Sequence, residues 1–205
     1  MTKRIKISAV LLTVVLVALI AIGVGTTAAI WTSSAPGAGN TVAPAANSSP
    51  DWNAWAKYFD GEIISEDLHT ARLTTFHGDG YGLNLETVII PQNIKINGVE
   101  YTVTEIGNQV FSDSTLKELP TAVRVSPKVV RIESMAFANL PNLVEVEFGA
   151  DDGGTACVLE DFAFMMSENL ATIKTNGKTL AEASGATVTS ASLAFFGVSS
   201  GLVIE

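Results

Sequence analysis

The amino-acid sequence predicts a mainly β protein with short helical turns, whose strands stack as the coils of a solenoid behind an N-terminal hydrophobic helix. Three observations predict this fold class. An uncharged apolar run opens the chain, and a segment rich in Ala, Ser, Pro and Gly follows it. The remaining part of the chain repeats one arrangement of Ile, Phe and Leu at intervals of about 30 residues, a length typical of stacked repeats.

The N-terminal run extends over residues 7–31, which carry no charge and follow three basic residues. As a helix these 25 residues would be about 37 Å long, enough to cross a bilayer core of roughly 30 Å. No further basic residue follows until Lys57, so the rest of the chain is expected on the outer side of the membrane. We therefore predict residues 1–31 to be a signal peptide or a signal-anchor helix, and the protein to be exported, either anchored at the cell surface or secreted.

The next two segments are predicted to be a linker and a cap. Residues 32–50 are small and uncharged and cannot bury enough apolar area to fold, which predicts a flexible linker. Residues 51–84 are predicted to form an N-terminal cap, with a short aromatic helix N-capped by Asp51 and then a β-hairpin. Four aromatic residues favour a plug over the end of a core, with a binding platform as the alternative. They are Trp52, Trp55, Tyr58 and Phe59.

Residues 85–205 are predicted to be the repeat domain, because four segments within them align on a phenylalanine. In each copy a residue five positions before the Phe faces inward, and a Leu five or six positions after it opens a strand. The phenylalanines are Phe111, Phe137, Phe164 and Phe196, preceded by Ile106, Ile132, Leu159 and a degraded Ala191, and followed by Leu116, Leu143, Leu170 and Leu202; an earlier strand opens at Leu85. A unit this short cannot bury its own apolar face, so successive copies must stack.

Two of these segments carry a family resemblance. Residues 90–119, IPQNIKINGVEYTVTEIGNQVFSDSTLKEL, include an Asn97-Gly98 dipeptide that predicts a tight hairpin turn. This segment and residues 129–148, VVRIESMAFANLPNLVEVEF, resemble the units of BspA-like leucine-rich repeats, which read roughly I-P-x-x-V-x-x-I-G-x-x-A-F-x-x-x-x-x-L-x-x-V-x-I-P. The resemblance covers residues 62–205, although Gly107 has no counterpart in the later copies.

That resemblance implies a leucine-rich-repeat solenoid and a surface role. Proteins of the BspA-like class are typically exported or surface-attached, and several are similar to adhesins. The expected function is a non-catalytic binding or adhesion module whose partner is an extracellular protein or a glycan. Two alternatives are a structural or spacer module of the cell envelope and an exported hydrolase. If the N-terminal segment is uncleaved, the membrane is a further partner. The sequence does not predict an oligomeric state.

Composition and motifs predict no enzyme. The chain has 12 basic and 21 acidic residues and a net charge of −9, which repels nucleic acid. His69 and His77 lack companions for a metal site, and the glycines after His77 match neither a P-loop nor a dinucleotide fingerprint. The single Cys157 is expected to be a buried small hydrophobe rather than a reactive thiol. We therefore expect no catalytic residue, no metal site and no cofactor.

A candidate binding face follows from solenoid geometry. Side chains alternate along a strand, so those between the inward positions line up across the coils as one exposed, mostly acidic and polar row. The predicted face consists of Glu86, Thr87, Ile89, Lys117, Glu118, Val144, Glu145, Glu147, Ala171, Thr172 and Lys174. A solvated sheet surface without a ligand is the alternative interpretation of the same row.

Overall fold

The computed structural model describes residues 50–77, 86–111, 120–150, 153–194 and 198–205. Within these ranges the chain is mainly β, with short strands and two short helices. The strands are β1 Phe59–Ser65, β2 Thr70–Phe76, β3 Thr87–Ile89, β4 Asn93–Ile96, β5 Val99–Ile106, β6 Ala122–Val125, β7 Arg131–Ile132, β8 Glu145–Phe148, β9 Cys157–Leu159, β10 Thr172–Lys174, β11 Leu180–Glu182 and β12 Val203–Ile204. The helices are a 3-10 helix, Ala56–Tyr58, and α1, Ser190–Ala194.

The strands form two sheets. Strands β12, β10, β8, β6 and β3 pair in that order and are all parallel, so we call them the parallel sheet. The remaining strands form the mixed sheet, in which β1, β2, β5, β7, β9 and β11 are neighbours in that order and β4 pairs with β5. From β5 onward the neighbours β5, β7, β9 and β11 are also parallel. Successive repeats therefore contribute one strand to each sheet.

One row of the parallel sheet is inward-facing and in register from coil to coil. It consists of Val88, Val123, Val146, Ile173 and Ile204. The first four are fully buried, and Ile204 is partly buried against the same core. The row recurs after 35, 23, 27 and 31 residues. The strands that we expected to be opened by Leu143, Leu170 and Leu202 are confirmed as β8, β10 and β12.

The coil that follows Phe111 departs from the prediction. Leu116 lies outside the described residues, and the strand of this coil is β6. Twelve residues separate Phe111 from Val123, whereas nine separate Phe137 from Val146 in the next coil. The three additional residues displace the strand toward the C-terminus. An alignment that assumes a fixed distance after each Phe does not detect such an insertion.

Two antiparallel hairpins supply the start of the mixed sheet, as predicted. Strands β1 and β2 pair with Phe59 opposite Phe76. Strands β4 and β5 pair around Asn97 and Gly98, whose φ angles are 53° and 84°. A type I′ turn needs positive φ at both central residues, which explains the Asn-Gly dipeptide.

Three of the predicted repeat phenylalanines form a column through the core together with Phe76, which was not predicted to belong to it. Phe76, Phe111, Phe137 and Phe164 follow one another with ring centroids 5.1, 5.4 and 5.3 Å apart. All four are at most 1% exposed and belong to the same buried cluster as the inward residues of both sheets. Phe196, the fourth predicted copy, lies outside the described residues.

The segments around these phenylalanines are turns rather than helices. In two copies the residues two before and two after the Phe have positive φ: Met135 at 60° and Asn139 at 58°, then Phe162 at 67° and Met166 at 60°. Gln109, two before Phe111, also has a φ of 55°. Left-handed backbone is uncommon for residues other than Gly, Asn and Asp, so the residue types at Met135, Phe162 and Met166 do not predict it.

The last coil is the least regular. Its mixed-sheet strand is β11, whereas Ala191, which we aligned with Ile132, lies in α1. The prediction for Ala191 is therefore wrong. The segment after β11 turns back at Gly185 (φ 86°) and bridges Thr187 to Ala181, which inserts residues between the strand and the next turn.

In the segment predicted to be the N-terminal cap, the helix differs from the prediction. Asp51 does not cap a helix: its Oδ1 accepts the N–H of Asn53 at 3.1 Å, which closes an Asx turn, and the 3-10 helix begins at Ala56. Tyr58 and Phe59 are buried, and the Trp55 ring lies 5.5 Å from that of Tyr58, as expected of an aromatic plug.

The predicted signal or anchor segment, residues 1–31, and nearly all of the predicted linker lie outside the described residues. Among the helices that the structure does describe, none is long and apolar enough to span a bilayer.

Candidate binding face

The outward side of the parallel sheet holds two rows in register. One row is Thr87, Ala122, Glu145, Thr172 and Val203; the other is Ile89, Arg124, Glu147 and Lys174. These side chains flank the buried row and are partly exposed, and Val203 is 52% exposed. Of the residues proposed for the binding face, the register places six in these two rows: Thr87, Ile89, Glu145, Glu147, Thr172 and Lys174. We call the two rows the outer face.

Ala122 and Arg124 are the residues that sequence reasoning missed on this face. They occupy the positions that we had given to Lys117 and Glu118, which lie outside the described residues. The cause is the insertion after Phe111. The alternation Ala-Val-Arg-Val of β6, with Val123 and Val125 buried, is the signal that would have located this strand.

Three of the predicted face residues lie outside the two rows. Each is the residue immediately before a strand: Glu86 before β3, Val144 before β8 and Ala171 before β10. The carbonyl of Val144 accepts the N–H groups of Ala171 and Thr172 at 2.9 and 3.1 Å, and the carbonyl of Ala171 accepts the N–H of Val203 at 2.9 Å. The carbonyl of Glu86 accepts the N–H of Thr121 in the same way at 3.0 Å. These residues form a column at the strand entrances, beside the outer face.

The acidic residues of the outer face are paired with basic ones. Lys174 Nζ lies 2.6 Å from Glu145 Oε2, and Arg124 Nε lies 3.1 Å from Glu147 Oε2. The hydrogen bond to Glu145 raises the pKa of Lys174. The expectation of a mostly acidic and polar row is therefore corrected in its charge, because each of these two glutamates has a basic partner. Along the second row the order is Arg124, Glu147 and Lys174, so the charges alternate.

A second charged row, which the sequence did not suggest, lies on the mixed sheet. Glu62, Arg72, Glu105 and Arg131 are in register across β1, β2, β5 and β7. The Arg72 guanidinium contacts Glu62 at 3.0 Å, Glu105 at 2.6 Å and Glu133 at 2.9 Å. The hydrogen bond to Glu105 is the main reason that the pKa of Arg72 is raised. Residues 33 positions apart in sequence meet here, so only the strand register reveals the row.

Two glutamates next to that row connect one coil to the preceding coil by hydrogen bonds. Glu133 and Glu160 each lie four positions before a core Phe. Glu133 Oε2 accepts the N–H of Asn108, and Glu160 Oε2 accepts the N–H of Ser134, both at 3.0 Å. Glu160 also pairs with Arg131. Burial raises the pKa of Glu160, but the Ser134 N–H and Arg131 outweigh burial and hold that pKa below its usual value.

The residues considered for chemistry are dispersed. His77 Nε2 lies 2.6 Å from Asp60 Oδ2, whereas His69 stacks on Tyr101 at a centroid distance of 5.7 Å. Cys157 is buried, as predicted, and burial raises the pKa of its thiol to about 12. Within the described ranges no three His, Cys, Asp or Glu side chains are placed to hold a metal ion.

Comparison with known proteins bears on the fold. No family model matches the chain, and no curated protein is significantly similar to it. Among solved structures, a leucine-rich repeat protein from Bacteroides capillosus ATCC 29799 is similar, with a TM-score of 0.52 and 24% sequence identity over 72% of this chain and 92% of that one. The chain has a leucine-rich-repeat fold.

A second solved structure has a lower similarity to this leucine-rich-repeat chain. It is a leucine-rich cell surface protein from Faecalibacterium prausnitzii A2-165, with a TM-score of 0.48 and 25% identity over 61% of this chain. The match spans 30% of that protein's length.

Proposed function

We propose that this leucine-rich-repeat chain is an exported, non-catalytic module of the cell surface that binds another protein or a glycan through its outer face. The observation that supports this proposal is the register of the parallel sheet, which presents one row of side chains from five neighbouring strands and a second row from four as one continuous surface. Stacked repeats of this kind form a short solenoid, and a solenoid offers an extended recognition surface.

The composition of the outer face supports recognition. Its carboxylates are held in defined positions by Lys174 and Arg124, which preorganises them for contact with a partner. Val144 and Val203, 45% and 52% exposed, add apolar area at the entrance column and at the last strand. Apolar area contributes to a non-obligate protein interface, and oriented charges beside it favour one partner over another.

Export is the second part of the proposal, and the N-terminal segment supports it. The uncharged run of residues 7–31 after three basic residues has the composition of a signal or signal-anchor segment. The domain boundaries at residues 31, 50 and 84 belong to the same proposal.

The test is a binding screen with a charge-swapped variant. Purified full-length chain is immobilised and exposed to panels of extracellular proteins and glycans. In the double variant Glu145→Lys with Lys174→Glu, the ion pair is kept while the charge pattern is inverted. We expect saturable binding by the wild type and at least about tenfold weaker binding by the swapped variant.

The control is Glu168→Lys, which changes an exposed carboxylate outside the outer face. Its binding should equal that of the wild type. If the swapped variant binds as tightly as the wild type, the outer face is not the recognition surface.

One observation favours a second candidate, a structural or spacer module without a specific ligand. Glu145 and Glu147 already have partners within the chain, so the outer face needs no external cation to balance them. In that case none of the panels gives saturable binding, and the charge-swapped variant differs from the wild type in no binding assay.

A further inference from the structure

A cavity of about 230 Å³ lies in the last coil, where β9, β11 and α1 meet. Its floor is aliphatic, formed by Leu159, Val188 and Leu193, all of which are buried. Its rim carries the carboxyl groups of Glu160, Asp161 and Glu182. The volume is below the roughly 300–1,000 Å³ typical of sites for drug-sized ligands, so the cavity suits one side chain or a small molecule.

The cavity exists because β11 breaks the repeat. Glu182 pairs in register with Leu159, which pairs with Ile132, which in turn pairs with Ile106. The three earlier positions are buried aliphatic residues, whereas the fourth carries a carboxylate. Its Oε2 accepts a hydrogen bond from Ser184 Oγ at 3.3 Å. A carboxylate at a core position costs free energy unless it is solvated or paired, so Glu182 leaves the aliphatic stack open.

The segment inserted after β11 provides the opposite wall. The chain turns at Gly185 and pairs back onto β11, with the N–H of Val188 donating to the carbonyl of Leu180 at 3.3 Å. It then enters α1, which brings Leu193 toward Leu159. The cavity is thus built by a repeat irregularity rather than by the regular stacking of coils.

The charges at the rim determine which ligand fits. Glu160 is neutralised by Arg131, but Glu182 and Asp161 form no ion pair with any residue that the structure describes. Two unneutralised carboxylates repel an anion. Among the described residues no three carboxylates are placed to hold a metal ion, and the described lining of the cavity has no aromatic ring on which a sugar could stack. A cation with an apolar stem can pair with the carboxylates of the rim and pack its stem on the aliphatic floor.

We propose that this cavity binds a primary ammonium group on an aliphatic stem. The stem lies on Leu159, Val188 and Leu193, and the ammonium group donates to the carboxylates of Glu182 and Asp161. The same chemistry is supplied by a lysine side chain of a partner protein and by a free diamine. The site lies on the mixed sheet, away from the outer face, so it goes beyond the proposed function and each can fail without the other.

The test is a titration of full-length chain in micelles, with methyl groups of Ile, Leu and Val labelled for NMR. The probes are n-butylammonium, Nα-acetyl-lysine amide and cadaverine, with n-butanol as the uncharged analogue. We expect saturable shifts of the Leu159, Val188 and Leu193 methyl signals with the three amines, and affinity for n-butanol at least about tenfold lower than for n-butylammonium.

Two variants of Glu182 separate the contribution of its charge to amine binding from that of the cavity's shape. Glu182→Gln keeps the size of the side chain and is expected to weaken n-butylammonium binding at least about fivefold. Glu182→Leu restores the aliphatic row and is expected to abolish binding while the chain remains folded, as judged by an unchanged circular dichroism spectrum. The matched control Glu168→Gln removes one exposed carboxylate elsewhere and should leave the affinity unchanged.

Equal affinities for n-butanol and n-butylammonium, or unchanged amine binding in Glu182→Gln, would overturn the proposal, as would methyl shifts confined to other residues. If the site holds, the relative affinities identify the source. Tighter binding of Nα-acetyl-lysine amide indicates a protein lysine, and tighter binding of cadaverine indicates a free diamine.

Discussion

Phe137 and Phe164 lie with their ring planes 7° apart and their centroids 5.3 Å apart, although 27 residues separate them. Each ring fills the space inside one coil and forms the floor for the ring of the next. The pair shows how the repeat holds together, since each coil completes its core only with a ring from its neighbour.

The first prediction is that Phe137→Ala destabilises the fold by about 3–5 kcal/mol. Phe137 is fully buried between Phe111 and Phe164, so its removal leaves a cavity in the middle of the column. The free energy of unfolding from chemical denaturation measures the effect. Phe162→Ala is the control, because Phe162 is 40% exposed and should cost less than about 1 kcal/mol. A loss below about 1 kcal/mol in Phe137→Ala would contradict the prediction.

The second prediction concerns the left-handed turns. Met166 has a φ of 60° and is 52% exposed, while the equivalent residue of the preceding coil is Asn139. Asn tolerates left-handed backbone better than Met does, so Met166→Asn should raise the free energy of unfolding by roughly 0.5–1 kcal/mol. Thermal denaturation provides the measurement. Val144→Asn, at an exposed position without positive φ, should give no such gain.

The third prediction is a pH dependence that arises from Glu160. Because the folded pKa of Glu160 is lowered, its stabilising effect is present above the unfolded value of about 4.5 and is lost as pH falls through the folded pKa. We expect Glu160→Gln to cost about 1 kcal/mol at pH 7 and to have less effect at pH 3. Unfolding free energies of both proteins across that range test the sign. A cost that stays constant with pH would contradict it.

The fourth prediction is that Cys157 does not react in the folded protein. With a pKa of about 12, its thiolate fraction at pH 8 is about one part in 10⁴, and the side chain is fully buried. A thiol reagent such as iodoacetamide should label it only after addition of guanidinium chloride. Labelling at the same rate with and without denaturant would show that the β9 strand opens readily.

The regular coils were predictable from sequence because their apolar spacing is local. Phe137 and Leu143, or Phe164 and Leu170, lie six residues apart and reveal strand and turn together. The coil with β6 was not predictable in that way. An insertion of three residues increases the distance from Phe111 to Val123, and the residue types of the strand give no sign of the insertion. Left-handed backbone at Met135 and Met166 gives no sequence signal, because Met has no preference for it.

The position of the candidate binding face could be predicted from the sequence, but the ion pairs between its charged side chains could not. Alternation along β8 and β10 places Glu145, Glu147 and Lys174 on one side. Whether a carboxylate is free or paired depends on the side chain one strand away, and Arg124 was hidden by the misplaced strand. The charged row at Arg72 needs the register of four strands, which no local pattern contains.

The carbonyl-to-amide links at the strand entrances all run in the same direction: Val144 to Ala171, and Ala171 to Val203. If the two ends of such a stack are pulled apart, each boundary between coils carries the full force. The least stable boundary between two coils is expected to break first and to extend the chain by the residues of one coil. The other coils keep their hydrogen bonds. We therefore expect such a chain to lengthen in steps under load and to refold onto the coils that remain folded.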